Sequence, residues 1–185
     1  MNSLAFSALG RRTEAPPISW LMATALAQPE LISLAAGFTD DGSMPVEATK
    51  ELFDGILNSR KAGRAALQYG TTLGDPLLRE LTAKRLQTLD SPGGSAQLWS
   101  ASRLIITNGS QQLLYMTTEA LCDPGDIVLV EDPSYFVYLG ILQSHGIDAR
   151  GVRMEADGID LAHLEAVFES LKRSGRLRRT KLLIW

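Results

Sequence analysis

The sequence predicts an α/β fold: a doubly wound, mainly parallel sheet, incomplete at its carboxyl end and preceded by an irregular N-terminal arm. Three observations predict it. Short apolar runs at 103–107, 127–131 and 181–185 read as strands, the first as a buried parallel strand should, and 147–154 reads as a further one. Segments of helical periodicity separate them, and strands alternating with helices imply parallel pairing. The composition is that of an ordinary globular protein, with 185 residues, 45% of them hydrophobic and 21% charged, which excludes disordered and fibrous classes.

Residues 1–44 read as the arm, with Pro16, Pro17 and Pro29, a short helix over 18–27 and the turn-rich run Gly37-Phe-Thr-Asp-Asp-Gly-Ser. Pro45 suits the first turn of a helix, where a missing N–H costs nothing. That helix runs to Asn58 with Leu52, Phe53, Ile56 and Leu57 on one face. Asp75-Pro76 repeats the signal, with Asp as cap, and Leu77, Leu78, Leu81, Leu86 and Leu89 are expected to form a buried stripe. After the loop Ser91-Pro-Gly-Gly-Ser, Arg103-Leu-Ile-Ile-Thr is the first expected strand, followed by a helix over 110–122 and the turn Asp123-Pro-Gly-Asp. Ile127-Val-Leu-Val-Glu is the second strand, 135–144 a helix and 147–154 the third strand. Asp160 caps a helix carrying Leu161, Leu164, Val167, Phe168 and Leu171, which stops near Ser174-Gly175. Lys181-Leu-Leu-Ile-Trp opens a fourth strand that nothing after it would cover, so the sequence reads as cut in mid-domain. The expected division is therefore an arm, 1–44, and an incomplete large domain, 45–185.

Charge narrows the classes of function. Eighteen Lys and Arg face 21 Asp and Glu, a net charge of −3, and the longest basic run is Arg176 to Lys181, so no broad nucleic-acid footprint exists. The single cysteine, Cys122, forms no internal disulfide, in keeping with a reducing compartment. No stretch of about 18 apolar residues occurs, and Met1 to Arg12 lacks the apolar core of a signal peptide. A soluble cytoplasmic protein without nucleic-acid or membrane partners is expected.

Two segments carry chemistry. In Ile106-Thr-Asn-Gly-Ser-Gln-Gln a strand turns through Gly109 into a helix, aiming the N–H groups of Gly109, Ser110 and Gln111 along a positive helix end. Two readings stay open there: a phosphate cradle, or a plain turn in which Asn108 or Ser110 caps the helix. In Val130-Glu-Asp-Pro-Ser-Tyr, Tyr135 lies at the carboxyl end of a strand, where ligands of open parallel sheets gather. Its ring is placed either to stack on a flat heterocycle or to pack in the core. Asp123, Asp126, Glu131 and Asp132 sit among Pro and Gly as turn and cap residues rather than metal ligands, and His145 and His163 share no ligand spacing and read as solvated helix positions. No Walker, Rossmann, nucleophile-elbow or zinc pattern is present.

Together these segments resemble the fold-type I pyridoxal-phosphate aminotransferases of class I/II, in particular the aminoadipate and aromatic aminotransferase subgroup. The resemblance rests on Leu31-Ile-Ser-Leu-Ala-Ala-Gly-Phe with Met44-Pro45, on Leu67-Gln-Tyr-Gly with Gly74 and Leu78-Arg79, and on Ile106-Thr-Asn-Gly-Ser-Gln-Gln. It continues through Asp123-Pro-Gly-Asp, Glu131-Asp-Pro-Ser-Tyr and Asp157-Gly-Ile, in that order. It implies pyridoxal 5'-phosphate as cofactor, held by its phosphate at Gly109, Ser110 and Gln111 and stacked under Tyr135. It further implies that Tyr69 reaches the cofactor phosphate of the neighbouring subunit in a homodimer, and that Gly37 lies over the substrate. The substrates implied are an amino acid and a 2-oxo acid.

The sequence also departs from the family. The lysine that bonds covalently to the cofactor stands in a Ser-x-x-Lys-like context there, whereas Lys50, Lys61, Lys84, Lys172 and Lys181 have none. The Asn-Pro-x-Gly segment, the aspartate for the ring nitrogen and the carboxylate-binding arginine are missing as well. The chain thus reads as the amino-terminal part of such an enzyme, inactive alone. The other readings are a remnant without activity, and the aminotransferase-like sensor domain of a transcriptional regulator, for which the stretch before Leu31 is too short to hold a winged helix.

Overall fold

A computed structural model of the chain describes residues 5–32, 34, 39–90 and 99–185. The helices are α1 (Ala8–Arg12), α2 (Pro17–Ala27), α3 (Val46–Leu57), α4 (Arg60–Ala66), α5 (Pro76–Asp90), α6 (Gly109–Leu121), α7 (Phe136–His145) and α8 (Leu161–Arg173). The strands are β1 (Ile127–Asp132), β2 (Asp148–Glu155), β3 (Gly158–Ile159) and β4 (Thr180–Ile184). The chain divides into two compact units, one of Met1–Ala35 with Asn108–Trp185 and one of Ala36–Thr107.

The first unit is built on a sheet of order β3-β2-β1-β4. β1 runs parallel to β2, with Ile127 opposite Asp148, and parallel to β4 on its other side. Only the two-residue β3 is antiparallel. The apolar run Ile127-Val-Leu-Val is unalternated because both faces of β1 are covered. Val128 and Val130 pack with Tyr138, Ile141 and Leu142 of α7, while Ile127 and Leu129 pack with Val152 and Leu171. A fully buried aliphatic side chain contributes roughly 1.5–3 kcal/mol, so these two layers hold the unit together. The mixed α/β character and mainly parallel sheet agree with the fold class read from the sequence.

Local signals set the ends of these helices. Asp160 caps α8 by accepting from the His163 N–H at 2.9 Å, and its carboxylate also faces Arg153 at 3.4 Å. Helix α1 is not among those expected from the sequence; its Arg12 Nε donates to the Ser144 carbonyl at 3.0 Å and so ties the arm to the last turn of α7.

The second unit holds α3, α4 and α5. Gly74 has φ +95°, and a Cβ there would lie 2.5 Å from that of Ile106, so only glycine fits. The Ile106 N–H donates to the Leu73 carbonyl at 3.0 Å, and Arg79 clamps the same corner through the carbonyls of Gly74 and Ala101.

Two expectations are corrected in this unit. Residues 104–107 form no strand: a parallel strand exists only against a neighbour, and among the described residues none pairs with this run. The leucine stripe of α5 is not buried either, since Leu77, Leu78, Leu81 and Leu89 are all exposed and Ala83 is the buried apolar residue of that helix. Helical periodicity marks a face able to pack, and here no described element covers it.

Candidate functional site

The turn into α6 is built around a left-handed glycine. Gly109 has φ +78°, a left-handed conformation that side chains other than glycine's resist, and no atom lies within 4 Å of where its Cβ would be. Asn108, the residue before the helix, makes no side-chain cap. Its own N–H is taken instead by the Gln112 carboxamide at 2.6 Å, which fixes the entry into the helix. The capping alternative left open by the sequence is therefore not what Asn108 does. Ser110 and Gln111 are exposed in the first turn. A helix start not capped by the Asn108 side chain, a neighbouring hydroxyl and open space beside a glycine are compatible with a phosphate dianion. A cavity of about 350 Å³ opens beside this turn, lined by Asn108, Gln111, Gln112, Tyr115 and Ile141.

Tyr135 is the residue before α7, three positions beyond the carboxyl end of β1. It is 46% exposed, and its ring lies against Phe136 with centroids 5.5 Å apart and planes tilted by 55°. Phe136 is itself 45% exposed, so both rings stand at the surface. At the same strand end a cavity of about 370 Å³ is lined by Glu131, Asp132, Ser134 and Leu139, among others, and Tyr135 lines neither cavity. Tyr69 belongs to the other unit, just after α4, and is 98% exposed. Gly37 lies outside the described residues.

Two histidines differ from their expected role. His145 is buried rather than solvated: its Nδ1 bonds the Ile141 carbonyl at 2.9 Å, and its ring meets Tyr115 edge-on at 4.8 Å. Its position at the last turn of α7 is polar by sequence, but α6 crosses over it. His163 is half-buried, and its Nδ1 accepts from the Arg153 N–H at 2.9 Å. Asp126 behaves as a turn residue, accepting from the Asp123 N–H at 2.9 Å and facing Lys181 at 3.7 Å. Sequence reasoning missed Gln112 and Tyr115, although both follow Asn108 and Gln111 at the i, i+4 spacing that shares a helix face.

Residues 29–184 match the family model described as aminotransferase class I and II. Among curated relatives, the aromatic-amino-acid aminotransferase 1 of Thermococcus litoralis is 30% identical over 80% of this chain and 34% of its own length. A helix-turn-helix-type transcriptional regulator of Bacillus subtilis, YisV, is 28% identical over 70% of this chain and 25% of its own. Among solved structures, the kynurenine aminotransferase of Pyrococcus horikoshii, determined in complex with PMP, superposes with a TM-score of 0.77 at 28% identity, over 93% of this chain and 40% of its own. The chain spans about a third of the length of the first curated aminotransferases it matches. The match across 29–184 and the shared fold make this chain a member of the class I and II aminotransferases, a family whose cofactor is pyridoxal 5'-phosphate.

Proposed function

We propose that this chain supplies the phosphate cradle and ring platform of a pyridoxal-phosphate-dependent aminotransferase that moves an amino group from an amino acid to a 2-oxo acid. The observation that carries the reading is the turn into α6: a left-handed Gly109, no side-chain cap and an exposed Ser110. Gly109, Ser110 and Gln111 would hold the cofactor phosphate through backbone N–H groups and the serine hydroxyl. Tyr135, exposed just beyond the strand end, would support the ring from one face. Bound pyridoxal phosphate supplies the electron-withdrawing ring on which amino transfer depends.

Tyr69 would serve a neighbouring subunit's phosphate, and its almost complete exposure suits a residue that waits for a partner chain. A cytoplasmic homodimer without nucleic-acid or membrane partners, residues 45–185 as one part of its large domain, and Gly37 over the substrate complete this reading. By itself the chain would be inactive, because none of its five lysines stands where a covalent link to the cofactor could form.

The similarity to the Bacillus regulator supports a second reading, a domain that senses the same cofactor without turnover. The two separate on whether the full-length protein transaminates or binds DNA. The cradle itself is tested by titrating the chain with pyridoxal phosphate and following its absorbance. Ser110→Ala should raise the dissociation constant about 5–10-fold, the equivalent of one charge-assisted hydrogen bond. Equal binding by wild type and Ser110→Ala would remove the serine from the site.

A further inference from the structure

We propose that the groove between β2 and α8 binds a small organic anion, a carboxylate or phosphate on a short apolar body, through Arg150 and Arg176. The groove encloses about 530 Å³. On one side Arg150 donates from Nε at 3.1 Å and Nη2 at 2.9 Å to Asp148 Oδ2. From the other, Arg176 Nη2 reaches the same oxygen at 2.9 Å. Two guanidinium groups thus share a single carboxylate, which leaves one positive charge and several N–H donors uncommitted among the described residues.

The helix end does not consume these donors. The Arg176 N–H donates to the Leu171 carbonyl at 2.8 Å and the Gly175 N–H to the Lys172 carbonyl at 3.0 Å, so backbone groups close α8. The same bonds fix the backbone of Arg176, and β2 fixes that of Arg150. Both heads therefore start from rigid elements, which lowers the entropy lost on binding.

The edge of β2 adds further donors. The Asp148 N–H donates to the Asp126 carbonyl, so alternation turns the peptide groups of Ala149, Gly151 and Arg153 away from β1. Those of Arg153 are taken by His163 and Asp160, and β3 pairs only with Met154 and Glu155. The peptide groups of Ala149 and Gly151 line the groove instead. Val167 and Leu171 give it an apolar wall, which favours an anion with a hydrocarbon body over a bare ion. Arg150 and Arg176 converge on Asp148, which pairs with Ile127 at the amino ends of β2 and β1, whereas Tyr135 follows the carboxyl end of β1, so the two arginines stand apart from the proposed cofactor site.

The test is an amide-resolved NMR titration of the ¹⁵N-labelled chain with phenyl phosphate and, separately, benzoate. Saturable shifts at 149–151 and 170–176 are expected with either probe, and the probe that binds identifies the head group. Inorganic phosphate should bind about 10-fold more weakly than phenyl phosphate for want of the apolar body. Arg176→Gln and Arg150→Gln should each weaken binding about 10-fold, and the second, on an exposed strand position, guards against misfolding of the first. Asp148→Asn should strengthen it several-fold by removing the competing carboxylate. Shifts confined to 109–111, affinities untouched by both arginine variants, weaker binding by Asp148→Asn, or no saturation by either probe below about 10 mM would each overturn the proposal.

Discussion

Gly109 shows how much one residue can decide. Alanine at φ +78° is strained even in open space, so Gly109→Ala should cost about 1 kcal/mol of stability and also weaken cofactor binding by tilting the first amides of α6. Urea unfolding and absorbance titration on the same variant check both. Two ionisable groups give the chain an alkaline limit. Burial pushes the Cys122 thiol up, with Asp126 adding and Lys181 opposing. Burial also pushes the Tyr138 phenol up, although its contact with Thr118 at 3.1 Å opposes this. In both groups the folded state favours the neutral form. Their contribution is therefore intact below the ordinary values of 9.0 and 10.0 and is lost as the pH rises through the raised ones. The urea midpoint should fall as the pH rises above the ordinary thiol and phenol values of 9.0 and 10.0, and fall less in Tyr138→Phe, which has no phenol to ionise. An equal fall in both proteins would place the alkaline loss elsewhere.

Apolar runs announce β1 but not what becomes of residues 104–107. The two segments read alike, yet Ile127-Val-Leu-Val finds β2 and β4 on its edges and helices on its faces, whereas the other run finds no strand among the described residues. Pairing is a property of two segments, so one sequence window cannot disclose it. Helices declared themselves better, because Pro45, Asp75-Pro76 and Asp160 act within a single turn. Of the site, the turn at Gly109 and the strand-end Tyr135 were legible for the same local reason. Burial of His145 was not, since it depends on Tyr115 crossing from another helix. The energetic contrast is testable. Leu129→Ala, at a fully buried position, should cost about 3–4 kcal/mol, while Leu81→Ala, 53% exposed on α5, should cost less than about 1 kcal/mol. Chemical denaturation of the two variants decides it, and a large loss from Leu81→Ala would mean that the α5 stripe is packed in solution.

For the chain as a whole, the decisive chemistry lies in where its lysines stand. A lysine that bonds to the cofactor must hold an uncharged amine against the reacting carbon, in surroundings that favour the neutral form. Lys84 instead faces Glu80 at 2.8 Å and Lys172 faces Glu169 at 3.5 Å, both on exposed helix surfaces open to water. Lys181 faces Asp126 at 3.7 Å at the amino end of the sheet, while Tyr135 follows the carboxyl end of β1. Lys50 and Lys61 lie on α3 and α4, and neither they nor the other three match the sequence context in which the family carries its nucleophile. Phosphate contacts from the first turn of α6 and one stacking ring should therefore give reversible, non-covalent binding at most. Mixing the chain with pyridoxal phosphate, reducing with borohydride and mapping the peptides by mass should recover only scattered, substoichiometric labelling of exposed lysines. The same mixture should transfer no amino group from any amino acid to a 2-oxo acid. One stoichiometric adduct at a single lysine, with turnover that is lost when that lysine is changed to arginine, would show that the chain carries its own nucleophile.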